Sequence, residues 1–262
     1  GEGMSRPPNR EETERRLSFR PTDRNEAQCI IMEKPLAGRR YLLAVDPMTG
    51  ASQTSGEDPD YHGAFVLRAG YWDEGGKWVR PCTAARIVPC RWDIDVLERA
   101  VWQLARYYGP ASGCMIAIEM NMDRGLTELL KQRSANLYQR QIFNQREMKF
   151  SDALGYQTNE RTREALIETL AKAIREWDKP GEGIEILDEH ALEQCENFVK
   201  NEKGFSRAAE GFHDDDVLAI ALGLHLIQNG TTYWPERLIQ HLPPDLQQLQ
   251  AQQPQGIGGP CS

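Results

Sequence analysis

The chain reads as an α/β protein with a central mixed β-sheet and helices on both faces. Three observations predict this class. The first half carries three apolar runs, 41–46, 63–72 and 78–88, separated by turn residues, which is an antiparallel meander. A helical spacing of apolar residues follows at Ile94, Leu97, Val101 and Leu104. Beyond it, strand-like and helix-like segments alternate, and such an order fits one sheet covered on both sides.

Each element has its own warrant. Tyr41–Asp46 is a first strand that ends at Pro47. The two strands 63–72 and 78–88 are joined by Asp73-Glu74-Gly75-Gly76, a hairpin signal. Asp93 can cap the next helix, which stops near Gly109-Pro110. Residues 114–120 form a short apolar strand, 126–133 a helix and 137–143 a further strand. Thr158 or Asn159 caps a long helix through Trp177, with Leu166, Leu170, Ala173 and Ile174 on one stripe. Residues 184–187 suggest an edge strand. Leu192, Cys195, Phe198 and Val199 suggest another helix. Residues 212–227 form a last helix that is apolar nearly all round and therefore buried.

Composition sets the frame around these elements. The chain has 262 residues, 40% of them apolar, and a net charge of -8. That suits one sizeable domain with tails and argues against a generic DNA-coating protein. Residues 1–36 are polar and read as a flexible arm, 37–241 as the folded domain, and 242–262 as a Pro- and Gln-rich, disordered tail. The start at Gly1 reads as a processed tag on an expressed fragment. No stretch reaches membrane-spanning length and no signal peptide is visible. The six cysteines show no metal-site spacing and read as free thiols in a reducing compartment.

Chemistry concentrates at three acidic positions. Asp46 ends the first strand. Glu119 is the one charge in the apolar run 114–120. Asp214, Asp215 and Asp216 follow His213 and open the last helix. A carboxylate on an apolar strand is costly unless something compensates it. Carboxylates brought together repel unless cations lie between them. Hard divalent cations take oxygen ligands, and two of them can clamp a phosphoryl displacement. The bland alternatives are a turn at Asp46-Pro47 and helix capping by the aspartates.

The pieces Val45-Asp46-Pro47 with Gly50 and Asp60-Tyr61, Ile118-Glu119-Met120-Asn121 with Gly125, and Gly211-Phe212-His213-Asp214-Asp215 with Val217 and Ala219 resemble, in this order, the C-terminal nuclease domain of the large terminase subunit of tailed bacteriophages. The resemblance covers about residues 40 to 228 and implies an RNase H-like fold. It implies that Asp46, Glu119 and one or both of Asp214 and Asp215 are catalytic and bind two Mg²⁺ or Mn²⁺ ions; Asp46, on the central strand, reads as the bridging ligand. It implies cleavage of concatemeric, double-stranded viral DNA during packaging, in the cytoplasm of the infected bacterium and transiently at the procapsid portal. Its expected partners are DNA, the ATPase motor domain of the same subunit, the portal and the small terminase subunit. No GxxxxGK[ST] loop occurs here, so the motor is expected to be absent from this chain. Asp216 departs from the family, which usually has a less acidic residue there, and reads as a cap or a solvated acid.

Supporting roles are open for His213, Asn121 and Asp60, each with a bland reading as a helix-start, turn or loop residue. Arg124, Lys131, Arg133, Arg140, Arg146 and Lys149 make the middle of the chain basic and could meet a DNA backbone. A PD-(D/E)xK nuclease could use Glu147-Met148-Lys149, but that leaves the three acidic sites unexplained. A proofreading exonuclease would need a second acid at Met48. A junction resolvase or integrase would share the triad, and a non-catalytic RNase H-like docking module would need none of it.

Overall fold

A computed structural model describes residues 27–48, 61–109, 113–121, 125–144, 149–200, 206–209 and 213–229. Its strands are β1 (Cys29–Ile31), β2 (Tyr41–Asp46), β3 (Gly63–Arg68), β4 (Tyr71–Trp72), β5 (Trp78–Val79), β6 (Cys82–Ile87), β7 (Met115–Ile118), β8 (Gln139–Asn144), β9 (Lys149–Leu154), β10 (Phe198–Lys200) and β11 (Ser206–Ala208). Its helices are α1 (Ile94–Tyr108), α2 (Leu126–Gln132), α3 (Glu160–Arg175), α4 (Glu189–Glu196) and α5 (Asp215–Asn229).

The main sheet has the order β1-β6-β3-β2-β7. Neighbours are antiparallel except β2 and β7, which run parallel. Successive strand side chains alternate between faces. Leu43, Val45, Val66, Ile116 and Ile118 therefore pack under α1 and α2, through Leu97, Val101, Leu104, Leu126 and Leu130. Leu42, Ala44, Phe65, Leu67, Met115 and Ala117 pack under α3, α4 and α5. The expected mixed sheet with helices on both faces is what the chain forms.

That alternation decides where the acids point. Asp46 follows Leu42 and Ala44 at period two, and Glu119 follows Met115 and Ala117. Both carboxylates thus fall on the face that α5 covers. The ladder carries on past β7, because the Glu119 N–H donates to the Val45 carbonyl at 2.9 Å.

Helix α5 lies close to the sheet because small residues meet there. A Cβ on Gly63, the register partner of Asp46, would stand 2.4 Å from the Asp215 carbonyl oxygen. A Cβ on Gly223 would stand 2.6 Å from a Leu67 methyl. Fully buried α5 side chains such as Ile220, Leu222 and Leu224 hold the helix down, each stabilising it by about 1.5–3 kcal/mol. This anchorage is what lets its first turn carry acids against the sheet.

Some boundaries differ from the sequence reading. Residues 29–31, assigned to the arm, are the edge strand β1, and the adjoining Glu33 pairs with buried Arg68 at 2.8 Å. The local Arg, Glu and Pro content outweighed an apolar triplet that only the sheet reveals. Residues 184–187 make a single bridge, Glu185 to Cys82, rather than a strand. The helix expected through Val199 stops at Glu196, and Phe198–Lys200 turns back as β10 against β11. Strand β8 has a partner, β9, that the sequence reading did not assign. Asp93 occupies the cap position of α1 without a side-chain capping bond, whereas Asn159 caps α3 in a reciprocal box with Thr162. The expected tail 242–262 and residues 1–26 of the arm lie outside the described residues. Among the described residues no helix is long and apolar enough to cross a membrane.

Candidate metal centre

Three elements bring four carboxylates to one place. Asp46 comes from the end of β2, Glu119 from the residue after β7, and Asp214 and Asp215 from the start of α5. Asp46 is 4% exposed, Glu119 7% and Asp215 3%. Burial pushes the Asp46 carboxyl well above the usual carboxylate range. The charges of Glu119, Asp215 and Asp214 raise it further, and the Arg163 charge acts the other way.

The four acids differ in how they are held. Glu119 is fixed on both oxygens. Its Oε2 accepts the Asn121 N–H at 2.9 Å, and its Oε1 accepts the Thr158 N–H at 3.2 Å and the Thr158 hydroxyl. The Asn121 side chain in turn donates to the Thr158 carbonyl and hydroxyl oxygens, both at 2.8 Å. Asp215 accepts the Tyr61 N–H at 3.2 Å, and His213 Nδ1 stands 3.8 Å from the same oxygen. The His213 ring also lies edge-on to Tyr61, 4.9 Å between centroids. Asp214 is half-open and pairs with Arg163 of α3 at 2.6 Å. Its carbonyl accepts the first α5 bond, from Leu218. Among the described residues no hydrogen-bond donor serves Asp46.

Asp216 corrects the sequence reading. It is neither a solvated acid nor a simple cap. It is 2% exposed, and its carboxylate points away from the other four acids. Arg86 Nη2 reaches it at 3.0 Å and His190 Nδ1 at 2.7 Å. Arg86 Nη1 holds Asp188, the N-cap of α4, at 2.5 Å. The ligand atoms of Asp188, His190 and Asp216 lie within 4.8 Å of one another, a spacing that could hold a metal ion. The Arg86 guanidinium already engages both carboxylates and His190 stands beside one of them, so the protein itself sets cationic groups against this pair.

The remaining candidates separate clearly. Asn121 does support Glu119, directly through its backbone and indirectly through Thr158. Arg140 on β8 donates to Gln157, the neighbour of Thr158, at 2.9 Å. Lys131 pairs with Glu128 on its own helix, both exposed, and Arg133 pairs with Glu98. Those two are explained without a ligand. Asp60, Arg124, Arg146 and the ExK glutamate lie outside the described residues, and Lys149 is described only as backbone of β9. Buried Cys114 offers no nucleophile, since burial pushes its thiol up to about 12.

Sequence reasoning missed Thr158, Arg163, Gly63 and Arg86. Thr158-Asn159 reads as a helix start, and Arg163 as one charge among many on an amphipathic helix. Gly63 has a faint signal, because a glycine at a strand end marks close backbone approach. Arg86 inside an apolar strand resembles Glu119 in kind, and the same argument could have found it.

All the donors at the first cluster are carboxylate oxygens. Among the described residues Asp46 has no donor there, and Arg163 is a cation at the edge of the cluster. Such a set fits hard divalent cations and suits neither a soft metal nor an organic cofactor.

Comparison with known proteins bears on the fold. No family model and no curated relative matches the chain. Among solved structures, the large terminase nuclease from thermophilic phage G20c is similar at 19% identity and a TM-score of 0.50, covering 78% of this chain and 90% of that one. The same nuclease with bound magnesium is similar at 20% identity, with coverage of 78% and 89% and a TM-score of 0.48. The Thermus phage P74-26 large terminase nuclease domain is similar at 17% identity, with coverage of 79% and 88% and a TM-score of 0.46. The first of these likenesses establishes the fold: the chain has the RNase H-like fold of a large terminase nuclease.

Proposed function

We propose that this chain is a metal-dependent DNA endonuclease of the large-terminase kind, cutting concatemeric double-stranded viral DNA during genome packaging. One observation carries the reading. Four carboxylates from three elements converge on one face of the sheet, where burial and their mutual repulsion raise the Asp46 pKa. Asp46, Glu119, Asp214 and Asp215 would hold two Mg²⁺ or Mn²⁺ ions. Such a pair supplies an activated water and a stabilised leaving oxygen when bound.

The chain's own residues prepare that site. Thr158 and Asn121 fix both Glu119 oxygens, so this ligand loses little freedom on binding. The Tyr61 N–H fixes one Asp215 oxygen. Buried apolar surface behind the site, from Ala44, Ala117 and Ala219, excludes water and strengthens the field of the carboxylates. Arg140, with Arg124, Arg146 and Lys149, would meet the DNA backbone without reading sequence. His213 is a supporting residue beside Asp215, and Asp60 an outer acid. In the infected cell the domain would work in the host cytoplasm and at the procapsid portal, attached to an ATPase motor and in contact with the small terminase subunit.

Nicking of supercoiled plasmid tests this reading. Mn²⁺ or Mg²⁺ should support nicking and linearisation with little sequence preference, and EDTA should stop both. A folded sample inert with either ion would favour a docking module. Full activity in EDTA would exclude the metal mechanism.

A further inference from the structure

The first turn of α3 touches the acid cluster at two points. Thr158, just before its cap, holds Glu119. Arg163, one turn later, holds Asp214 at 2.6 Å. The capping box of Asn159 and Thr162 fixes this turn, so both contacts come from one rigid unit. Arg163 is a cation whose charge reaches Asp46. Its side chain is 30% exposed and that of Asp214 24%, so the pair sits at the rim of the site with access to solvent.

The two contacts differ in a telling way. The groups on Glu119 are neutral donors, which can stay in place when a cation binds. The group on Asp214 is itself a cation, and it holds Oδ2, one of the two oxygens that a metal could take. A guanidinium and a divalent ion cannot both bind that oxygen closely, because their charges repel.

We propose that Arg163 is an exchangeable counter-cation. It pairs with Asp214 while the site lacks metal, yields that carboxylate to a divalent ion, and then binds a phosphate oxygen of the DNA. Arginine suits both partners, since its planar fork matches carboxylate and phosphate alike. The long side chain can turn between them without moving α3. This inference rests on the metal-site reading of Asp214 given above.

Calorimetric titration with Mn²⁺, without DNA, tests the first half on wild type, Arg163→Gln and Arg161→Gln. Arg161 is an exposed residue of the same turn and controls for net charge. Arg163→Gln should bind Mn²⁺ about three- to tenfold tighter, the size of a half-exposed ion pair. Arg161→Gln should stay within about twofold of wild type. Fluorescence anisotropy of a short duplex in Ca²⁺ tests the second half. There Arg163→Gln should bind DNA about three- to tenfold more weakly, the loss expected for one phosphate contact, and Arg163→Lys should recover part of it. Equal or weaker Mn²⁺ binding by Arg163→Gln would overturn the proposal, because Arg163 would then position Asp214 rather than compete for it. Unchanged DNA binding would overturn it too. A wild type that takes up no Mn²⁺ would instead remove the metal site itself, and the inference with it.

Discussion

Two acidic clusters open from the same turn of α5, and they are solved in opposite ways. Asp214 and Asp215 face Asp46 and Glu119. Asp216, one residue on, faces Asp188. In the second cluster Arg86 lies between the carboxylates, buried with them, and His190 adds a third contact. In the first, Arg163 at the rim pairs with Asp214, and its charge also reaches Asp46. A fold that can bury an arginine between two aspartates could have done so twice. The first cluster is therefore the one we propose for a cation from outside, and the second shows two acids held by the protein's own groups. The contrast also separates three consecutive aspartates into two roles. Successive helical residues point about 100° apart, so one turn can serve two sites.

The largest difference should appear when one acid is removed from each cluster's centre. Asp46→Asn should reduce nicking by about 10³-fold or more, the range for losing an essential group. Its stability should move the other way. The folded pKa of Asp46 is raised, so its contribution is present while it is protonated and is lost as pH rises through that value. In EDTA, the melting temperature of Asp46→Asn at pH 8 should equal or exceed that of wild type. At pH 5 the gap should shrink. A variant that melts well below wild type at pH 8 would show that the carboxylate is structural.

The second cluster should give the reverse pattern. Arg86→Met leaves Asp188 and Asp216 buried with only the half-exposed His190 beside them, which costs about 3–5 kcal/mol. Urea unfolding should show this, and adding Asp216→Asn to Arg86→Met should recover part of it. The buried pairing also means that Asp216→Asn alone disturbs more than a helix cap. If Arg86→Met were as stable as wild type, the two clusters would not differ in the way described.

Much of this contrast was legible in the sequence, but unevenly. The apolar runs 41–46 and 114–120 were enough to mark Asp46 and Glu119 as acids on strands of one sheet. The small residues Ala219 and Gly223 announced that α5 would lie close to the sheet. The fate of Asp216 was not legible, because its partner Arg86 is 130 residues away and His190 26 residues away. Local sequence gives the direction in which a side chain leaves a helix, not what waits there. Thr158 failed for the same reason: its hydroxyl serves Glu119, 39 residues earlier, across a contact made only when the chain after β9 returns to the sheet. Strand β1 was hidden because three apolar residues carry little periodicity until β6 pairs with them.

The smallest expected effect belongs to His190, and it probes the rim of the second cluster. Its hydrogen bond to Asp216 raises the imidazole pKa, and burial partly opposes this. A raised histidine contributes stability that is fully present below the unfolded value, about 6.5, and is lost as pH rises through the folded value. The side chain is 48% exposed, so solvent screens the interaction, and its worth is no more than about 0.5 kcal/mol. Asp46 gives a slope of the same sign, so wild type alone cannot separate them. His190→Gln removes the charge and keeps a donor for Asp216. Melting curves in EDTA from pH 6 to 8.5 should therefore fall less steeply for His190→Gln than for wild type, with the two converging at the alkaline end. The same comparison in the Asp46→Asn background should give the same difference, because the two clusters face opposite ways and share no ligand. A difference that vanished in that background would mean that the clusters are electrically coupled through α5, and that Arg86 helps to set the charge of the metal centre.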